Sequence, residues 1–216
     1  MTGSIIINNL AGLLVITSVL TIVVRGIPQS IGILSLQSLV LVMIFFAIGY
    51  NFGAHELYTW GITAFVTKVI LVPLIMYKSF CKMRGANIEG SLIPVWAIIM
   101  ISALIVLVCY FVAEPVKLPM ITELKPVLAV SLGHFMIGLL CIVSQRNIIK
   151  QIFGYCLMEN GAHLTLALLA YRVPEIVEVG ITTDAIFAVI VMSYFARRIY
   201  KVLNTLDANK LNVLKG

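Results

Sequence analysis

Four ionisable side chains lie deep inside apolar stretches of this sequence: Lys68, His134, Glu159 and Asp184. A fifth, His163, follows Glu159 by four residues, so the two side chains share one face if the segment is helical. Burial penalises the charged form of a carboxyl, which can then be neutral or charged near neutral pH. We therefore expect Glu159 to take up and release protons. The alternative is a structural hydrogen bond to a neighbouring helix.

The other deep residues could take part in the same chemistry. Asp184 is a candidate second proton site, or a carboxyl that the dipole at a helix N-terminus stabilises. Lys68 is a candidate relay, or one half of an ion pair that locks two helices together. Pro73 cannot donate a hydrogen bond to the carbonyl of Val69, which frees a polar group beside Lys68. His134 could shuttle protons or act as a neutral hydrogen-bond partner.

Other chemistries find no support in the sequence. The cysteines at 81, 109, 141 and 156 form no CxxC pair, and three of them lie inside apolar runs, as small apolar residues do. The sequence contains no glycine-rich phosphate loop and no HExxH motif. Gln37 is expected to hold helices together rather than to react. We expect no metal and no redox cofactor on this chain.

The composition identifies the solvent in which these residues work. Of the 216 residues, 61% are hydrophobic and only 11% are charged, and the mean hydropathy is +1.09. A soluble domain is about 45–50% apolar and about 25% charged. These values exclude a soluble domain, a disordered chain and a secreted disulfide scaffold. They predict an all-α polytopic membrane protein, in which the net charge of +6 reports topology rather than nucleic-acid binding.

About seven runs are long enough to cross a bilayer, which needs about 20 apolar residues per helix. They are Ile5–Val24, Ile31–Phe52, Leu57–Met76, Leu92–Ala113, Pro126–Val143, Ile148–Ala170 and Val179–Phe195. The runs are continuous and do not alternate, so a β-barrel is not expected. The loops are short, which predicts one membrane domain embedded in the lipid bilayer.

Basic residues predict the orientation of the chain. One side of the predicted bundle carries Arg25, Lys78, Lys82, Arg84, Arg146, Lys150, Arg197, Arg198, Lys201, Lys210 and Lys215. The other side carries only Lys117, Lys125 and Arg172. By the positive-inside rule the N-terminus is outside and the C-terminus is cytoplasmic. The outer side also carries Glu56, Glu114, Glu123, Glu175 and Glu178, which we expect to form a solvated rim.

The helices divide into units. Residues 1–80 form an N-terminal three-helix unit, 92–113 a connecting helix, 126–200 a second three-helix unit, and 201–216 a cytoplasmic tail. The trio Gly61-Ile62-Thr63 returns as Gly180-Ile181-Thr182, four helices later. An even number of helices would place the two units parallel in the membrane. The first unit is therefore a candidate parallel repeat of the second.

The stretch 145–160, QRNIIKQIFGYCLMEN, resembles the second helix of a known family. The family contains the K subunit of bacterial complex I and the C subunit of multisubunit cation/proton antiporters. Arg146, Asn147, Gly154 and Asn160 fall on its pattern. The family's acid would fall on Cys156, and Glu159 lies three residues further, close to one helical turn. Asp184-Ala185 resembles the position of the family's second acid. The resemblance covers residues 126–200.

The chain as a whole resembles the membrane subunits of hydrogenase-4 and related formate-hydrogenlyase-type nickel–iron hydrogenases. The resemblance rests on PVKLPM (115–120), SQRNIIKQIFGYCLMENGAHL (144–164), ITTDAIFAVIVM (181–192) and the ending LKG. It implies antiporter-like membrane subunits, a membrane anchor subunit and peripheral hydrogenase subunits as partners. The nickel–iron and iron–sulfur centres would lie on those partners. It also implies the bacterial inner membrane.

Three functions remain open at this point. The chain could form part of a proton or Na⁺ path coupled to electron transfer, with Glu159 as the central carrier, Asp184 as the second acid, and Lys68, His134 and His163 along the route. It could instead be a structural subunit that anchors its neighbours. It could, as a weaker alternative, be an independent small cation transporter.

Overall fold

The computed structural model describes residues 2–81, 83, 91–116, 124–170 and 175–213. Seven long helices run through this part of the chain. They are α1 (Thr2–Val23), α2 (Ile27–Phe52), α3 (Glu56–Phe80), α4 (Val95–Ala113), α5 (Lys125–Ser144), α6 (Ile148–Leu169) and α7 (Glu175–Leu203). A 3₁₀ helix follows at Ala208–Val213. The fold is therefore the predicted all-α polytopic membrane protein.

Six of the helices are long and apolar enough to cross a membrane by themselves, and α6 is not among them. It is 22 residues long, but it carries Lys150, Glu159, Asn160 and His163. It packs against α1, α2, α5 and α7, and 13 of its 22 residues are buried. Lys150, Asn160 and His163 are among the buried ones.

Turn residues explain where several helices begin and end. Gly53 ends α2 with φ +67°, a left-handed conformation that glycine adopts without steric cost. Asn204 ends α7 in the same region, with φ +52°. Pro28 lies in the first turn of α2, where its missing N–H would have no helical partner anyway. The Asn147 side chain accepts a hydrogen bond from Ile149 N at 2.8 Å and caps α6.

The buried apolar residues form two clusters, one in each half of the bundle. The first is centred on Phe45, Trp60 and Leu164. The second is centred on Met76 and Phe153. Between them lies a layer of buried polar side chains, which we call the polar layer: Ser18, Gln37, Ser38, Lys68, His134, Asn160 and His163. The fold thus confines its buried hydrogen-bonding side chains near the middle of the membrane to one level.

The α5–α6 contact brings two backbones together through glycine. A Cβ on Gly138 would lie 2.7 Å from the Gly154 carbonyl oxygen, and one on Gly154 would lie 2.9 Å from the Gly138 carbonyl oxygen. A Cβ on Gly161 would lie 2.8 Å from Phe135 Cα. Small residues at helix crossings permit this close approach in membranes. The close approach holds α6 at a fixed register against His134 on α5.

The helix ends and loops that carry most of the basic residues lie at one side of the bundle, which we call the basic end. There Leu92 N donates to the Ser144 carbonyl at 2.9 Å, and Ile148 N donates to the Leu206 carbonyl at 3.1 Å. Which side of the membrane this end occupies stays a prediction. The charge count that predicts the orientation includes Lys82, Arg84 and Lys215 on this side and Lys117 and Arg172 on the other side. All five lie outside the described residues. So do Glu123 and most of PVKLPM.

The prediction of a solvated acidic rim is correct for only some of its residues. Glu56 and Glu114 are exposed, as a solvated rim requires. Glu178 is 0% exposed, so the expectation of a solvated side chain is wrong for this residue. It lies in the second turn of α7 and packs inside the bundle rather than facing outward.

The glycine contacts lead to a stability prediction. Gly161→Ala places a methyl group against the α5 backbone, which cannot move aside as a flexible side chain can. Overpacking costs about 1–3 kcal/mol, so we expect a lower melting temperature in detergent. Gly12→Ala is the matched control, since nothing lies within 4 Å of the added methyl group. Equal melting temperatures for the two variants would contradict the proposed backbone contact.

Candidate functional site

The centre of the polar layer is an ion pair between α3 and α6. Lys68 Nζ donates to Glu159 Oε1 at 2.7 Å, and the two side chains are 3% and 14% exposed. Lys68 Nζ also contacts His163 Nδ1 at 2.9 Å. The spacing of Glu159 and His163, four residues apart on α6, brings both to the same ammonium group. A cation, a carboxylate and an imidazole therefore meet at one point.

Local distortion of α3 positions Lys68. The segment Phe65–Leu71 is π-helical, and Pro73 follows it within the same continuous helix. The Val69 carbonyl, which Pro73 leaves without its helical donor, accepts a hydrogen bond from Ser35 Oγ of α2 at 3.0 Å. The carbonyl freed by Pro73 was predicted from the sequence, and its new partner stabilises α3 against α2. Single π-helical turns inside α-helices often occur at functional sites.

His163 lies in an aromatic pocket. Its ring centroid is 5.1 Å from that of Phe45 and 5.3 Å from that of Trp60. Because the Lys68 ammonium donates to Nδ1, this nitrogen accepts, and the ring proton of a neutral imidazole lies on Nε2. Nε2 is buried and has no hydrogen-bond partner among the described residues. Among the described residues, Lys68 is therefore the one polar contact of the His163 ring.

His134 takes part in a second, adjacent network. The Gln37 amide nitrogen donates to His134 Nε2 at 2.8 Å, so His134 carries its ring proton on Nδ1. Nδ1 then donates to Ser18 Oγ at 2.6 Å, and Ser18 Oγ donates to the Leu14 carbonyl at 2.6 Å. At the other end, Asn160 Nδ2 donates to Gln37 Oε1 at 2.9 Å. The hydrogen bonds run in one direction across α6, α2, α5 and α1.

A small cavity connects the two networks. It measures about 10 Å³, close to the space that one water molecule requires, and Ser38, Lys68, Tyr155, Glu159 and Asn160 are among its lining residues. Asn160 Nδ2 also contacts Ser38 Oγ at 3.2 Å. A polar route can therefore be followed from His134 through the amides to Glu159. A water molecule could sit in the gap at this cavity.

Asp184 is separate from both networks. It is exposed on α7, although Ala185 beside it lines the same cavity as Glu159. Tyr155 lies within electrostatic reach of both Asp184 and Glu159. The five predicted residues thus divide into three groups: Lys68, Glu159 and His163 in direct contact, His134 in the neighbouring network, and Asp184 at the surface close by.

Lys150 is a second buried lysine, although its position between two apolar runs predicts only a loop charge. It is 1% exposed. Its Nζ donates to the Thr21 carbonyl at 2.7 Å, to Ser30 Oγ at 2.8 Å and to the Val24 carbonyl. A lysine that binds the last carbonyls of a helix complements the negative end of the helix dipole. The one feature that could have indicated this role beforehand is its position at the start of α6, opposite the end of α1.

Residues other than those predicted complete the site. Gln37, predicted as a link between helices, is the central member of the amide network, and Ser18, Ser38 and Tyr155 were not selected at all. Serine and tyrosine within apolar runs are too common to be distinguished by sequence. Asn160 belongs to the motif quoted above but was given no role there. Within the described residues, no three His, Cys, Asp or Glu side chains converge as metal ligands would.

Comparisons with known proteins show which proteins this chain is similar to. Residues 126–216 match the family described as NADH-ubiquinone/plastoquinone oxidoreductase chain 4L. The whole chain is 57% identical over 216 residues to "Hydrogenase-4 component E" of Escherichia coli (strain K12), covering 100% of both chains, and equally so to that of Shigella flexneri. It is 25% identical over 218 residues to "Uncharacterized protein Rv0085" of Mycobacterium tuberculosis, covering 98% of this chain and 97% of that one. No solved structure matches.

The fold and the site define a class of protein: a polytopic α-helical membrane protein with a buried ion pair and a polar layer at membrane depth. Within that class, the chain belongs to the hydrogenase-4 component E family. The resemblance found in the sequence is confirmed, both for the whole chain and for the complex I-like C-terminal part.

The ion pair leads to a prediction about coupling between two residues. Removing one partner of a buried pair costs about 3–5 kcal/mol, because the other charge stays buried without compensation. We expect Glu159→Leu and Lys68→Met each to lower the melting temperature in detergent. The double variant should recover much of the loss, since an apolar pair leaves no buried charge. Additive losses in this double-mutant cycle would contradict a direct pair.

The hydrogen-bond directions predict opposite tautomers for the two buried histidines. The chain has three histidines, so ¹⁵N-histidine labelling gives few signals. His134 should carry its proton on Nδ1 and His163 on Nε2, and His134→Gln and His163→Gln assign the signals. A common tautomer for both rings, or an imidazolium at His134, would show that the donor assignment is wrong.

Proposed function

We propose that this chain is a non-redox membrane subunit of a hydrogenase-4, formate-hydrogenlyase-type complex, and that its polar layer forms part of a proton (or Na⁺) path. The family membership supports the first statement, because the relatives are named as components of hydrogenase-4. The second rests on one observation, the Lys68–Glu159 contact of 2.7 Å inside the bundle. Ionisable residues inside membranes commonly mark ion pathways and proton relays.

In this proposal Glu159 is the central carrier. Its carboxyl pairs with Lys68 when it is charged and releases Lys68 when it is protonated. Lys68 then keeps its contact with His163 Nδ1, so neither state leaves the ammonium without a neighbour. A charge that changes within about 4–6 Å alters the protonation equilibrium of such a group. Electron transfer in a partner subunit could drive the exchange in this way.

The route on either side of Glu159 follows the contacts. Toward α1, the cavity leads to Asn160, Gln37 and His134. The side-chain amides of Asn160 and Gln37 would have to rotate for a proton to pass. Toward α7, it leads past Tyr155 to Asp184, the proposed second acid. A path with one end inside the bundle and the other at its surface is suited to exchange with a neighbouring subunit.

The partners follow from the proposed complex. We expect antiporter-like membrane subunits, a membrane anchor subunit and a peripheral arm of nickel–iron hydrogenase subunits. The nickel–iron and iron–sulfur centres would lie in that arm and not on this chain. We place the complex in the bacterial inner membrane.

A structural role is the second candidate, and a specific contact favours it. Lys150 bridges the end of α1 and the start of α6 through three neutral acceptors, which is a purely mechanical link. If Lys68 and Glu159 do the same between α3 and α6, their substitution should lower stability and leave ion coupling unchanged. The two roles thus differ in which quantity changes.

Coupling is the quantity to measure. We expect Glu159→Gln, in the complete complex sealed into vesicles, to keep hydrogen chemistry but to reduce proton translocation per hydrogen molecule to near background. Glu159→Gln with Asp184→Asn should do the same or more. Glu56→Gln is the matched control, since it removes an exposed carboxyl at a helix end. An unchanged ratio with a lower melting temperature would favour the structural role.

A further inference from the structure

The exposed face of α7 combines one carboxylate with apolar and aromatic side chains. Asp184 is exposed, and Phe187, Val191 and Tyr194 follow it at intervals of three and four residues with exposures of 65%, 45% and 64%. These four residues lie on one side of the helix. We call this side the α7 face.

Asp184 belongs to the candidate membrane-spanning part of α7. The candidate membrane segment of α7 is Val177–Leu203. At 1.5 Å per residue, Asp184 is about 10 Å along the axis from Val177. A hydrocarbon environment offers such a carboxylate neither water nor donors. Lipid chains therefore do not suit the α7 face, although its other residues would tolerate them.

No described residue of this chain neutralises Asp184. Lys68 lies at similar depth, but it is paired with Glu159 and bonded to His163. Lys150 is enclosed by carbonyls at the basic end. The remaining described cations are near helix ends or in the tail: Arg25, Lys78, Lys125, Arg146, Arg197, Arg198, Lys201 and Lys210. Within the described residues, the α7 face therefore presents a carboxyl group that has no cation of this chain beside it.

We propose that the α7 face docks a transmembrane helix of another subunit, and that this helix places a basic side chain against Asp184. A second copy of this chain does not fit, because it would bring Asp184 against Asp184. The exposed aromatic residues suit a protein neighbour, since Phe and Tyr are enriched at interfaces. The proposal rests on the proposed function only in that the chain is part of a complex.

The contact would also connect the polar layer to the surface of the bundle at Asp184. Tyr155, Glu159, Lys68 and Ala185, the neighbour of Asp184, line one small cavity, and Glu159 is 14% exposed. A basic residue docked at Asp184 would therefore lie beside a wall of the cavity that adjoins the Lys68–Glu159 pair.

A photo-crosslinking experiment tests the interface in the complete complex. A photoreactive phenylalanine analogue replaces Phe187, one turn from Asp184, and the adduct is identified by mass spectrometry. We expect a membrane-spanning peptide of another subunit with Lys, Arg or His within a turn of the adduct. Loss of a desolvated charge pair weakens association strongly, so Asp184→Asn should reduce the yield about tenfold. Asp184→Glu, which keeps the charge, should restore it.

Other results would overturn the proposal. They are adducts with lipid only, with a second copy of this chain, or with a helix that has no basic residue in its span, and a yield that Asp184→Asn leaves unchanged. Because Asp184 is exposed, we expect the variants to fold, and the melting temperature of each in detergent verifies this. We expect Glu159→Gln to keep the interface. Loss of proton translocation with a normal cross-link yield would therefore distinguish the proton path from the docking contact.

Discussion

Lys68 of α3 and Glu159 of α6 meet at 2.7 Å inside the bundle, and both charges depend on this contact. Either residue alone at the bilayer centre costs about 2.5–3.5 kcal/mol on insertion scales. Their pairing offsets that cost only while α3 and α6 keep their relative position. The π-helical segment of α3, the Ser35 hydrogen bond to the Val69 carbonyl and the glycines between α5 and α6 maintain it. The register of the bundle and the ion pair therefore support each other.

The two buried lysines have different environments, which is why we propose different roles for them. Lys150 contacts backbone carbonyls and a hydroxyl, none of which changes protonation near neutral pH. Lys68 contacts two ionisable side chains, the carboxyl of Glu159 and the imidazole of His163. A small cavity adjoins Lys68 and Glu159, so water could reach them. The same side chain thus holds a helix end in one place and can take part in proton exchange in the other.

Much of the fold follows from the sequence because each membrane helix must satisfy its own backbone. The apolar runs predict seven helices, and Pro73 predicts the freed Val69 carbonyl. The depth of Lys68 and Glu159 is also evident from their runs. Their pairing is not, since it joins residues 91 positions apart through the packing of α3 against α6.

Other features of the site are equally non-local. The donor order that fixes the His134 tautomer requires Gln37, Ser18 and Asn160 from three further helices. The sequence predicts Lys150 as a loop charge. Only the structure shows that α1 ends opposite it. Asp184 reads as a deep acid, and only the packing of α7 at the edge of the bundle shows that it faces outward. The parallel repeat and the orientation of the termini stay predictions, because neither follows from these contacts.

If Glu159 is the central carrier, its carboxyl changes protonation as the complex works, and infrared difference spectroscopy measures that change directly. Spectra of the complete complex would be recorded before and during hydrogen turnover, in the region of the protonated carboxyl stretch. We expect a turnover-dependent carboxyl band that is absent from Glu159→Gln and present in Glu56→Gln. The same band in all three proteins would contradict this expectation and would leave the Lys68–Glu159 pair as a link between helices.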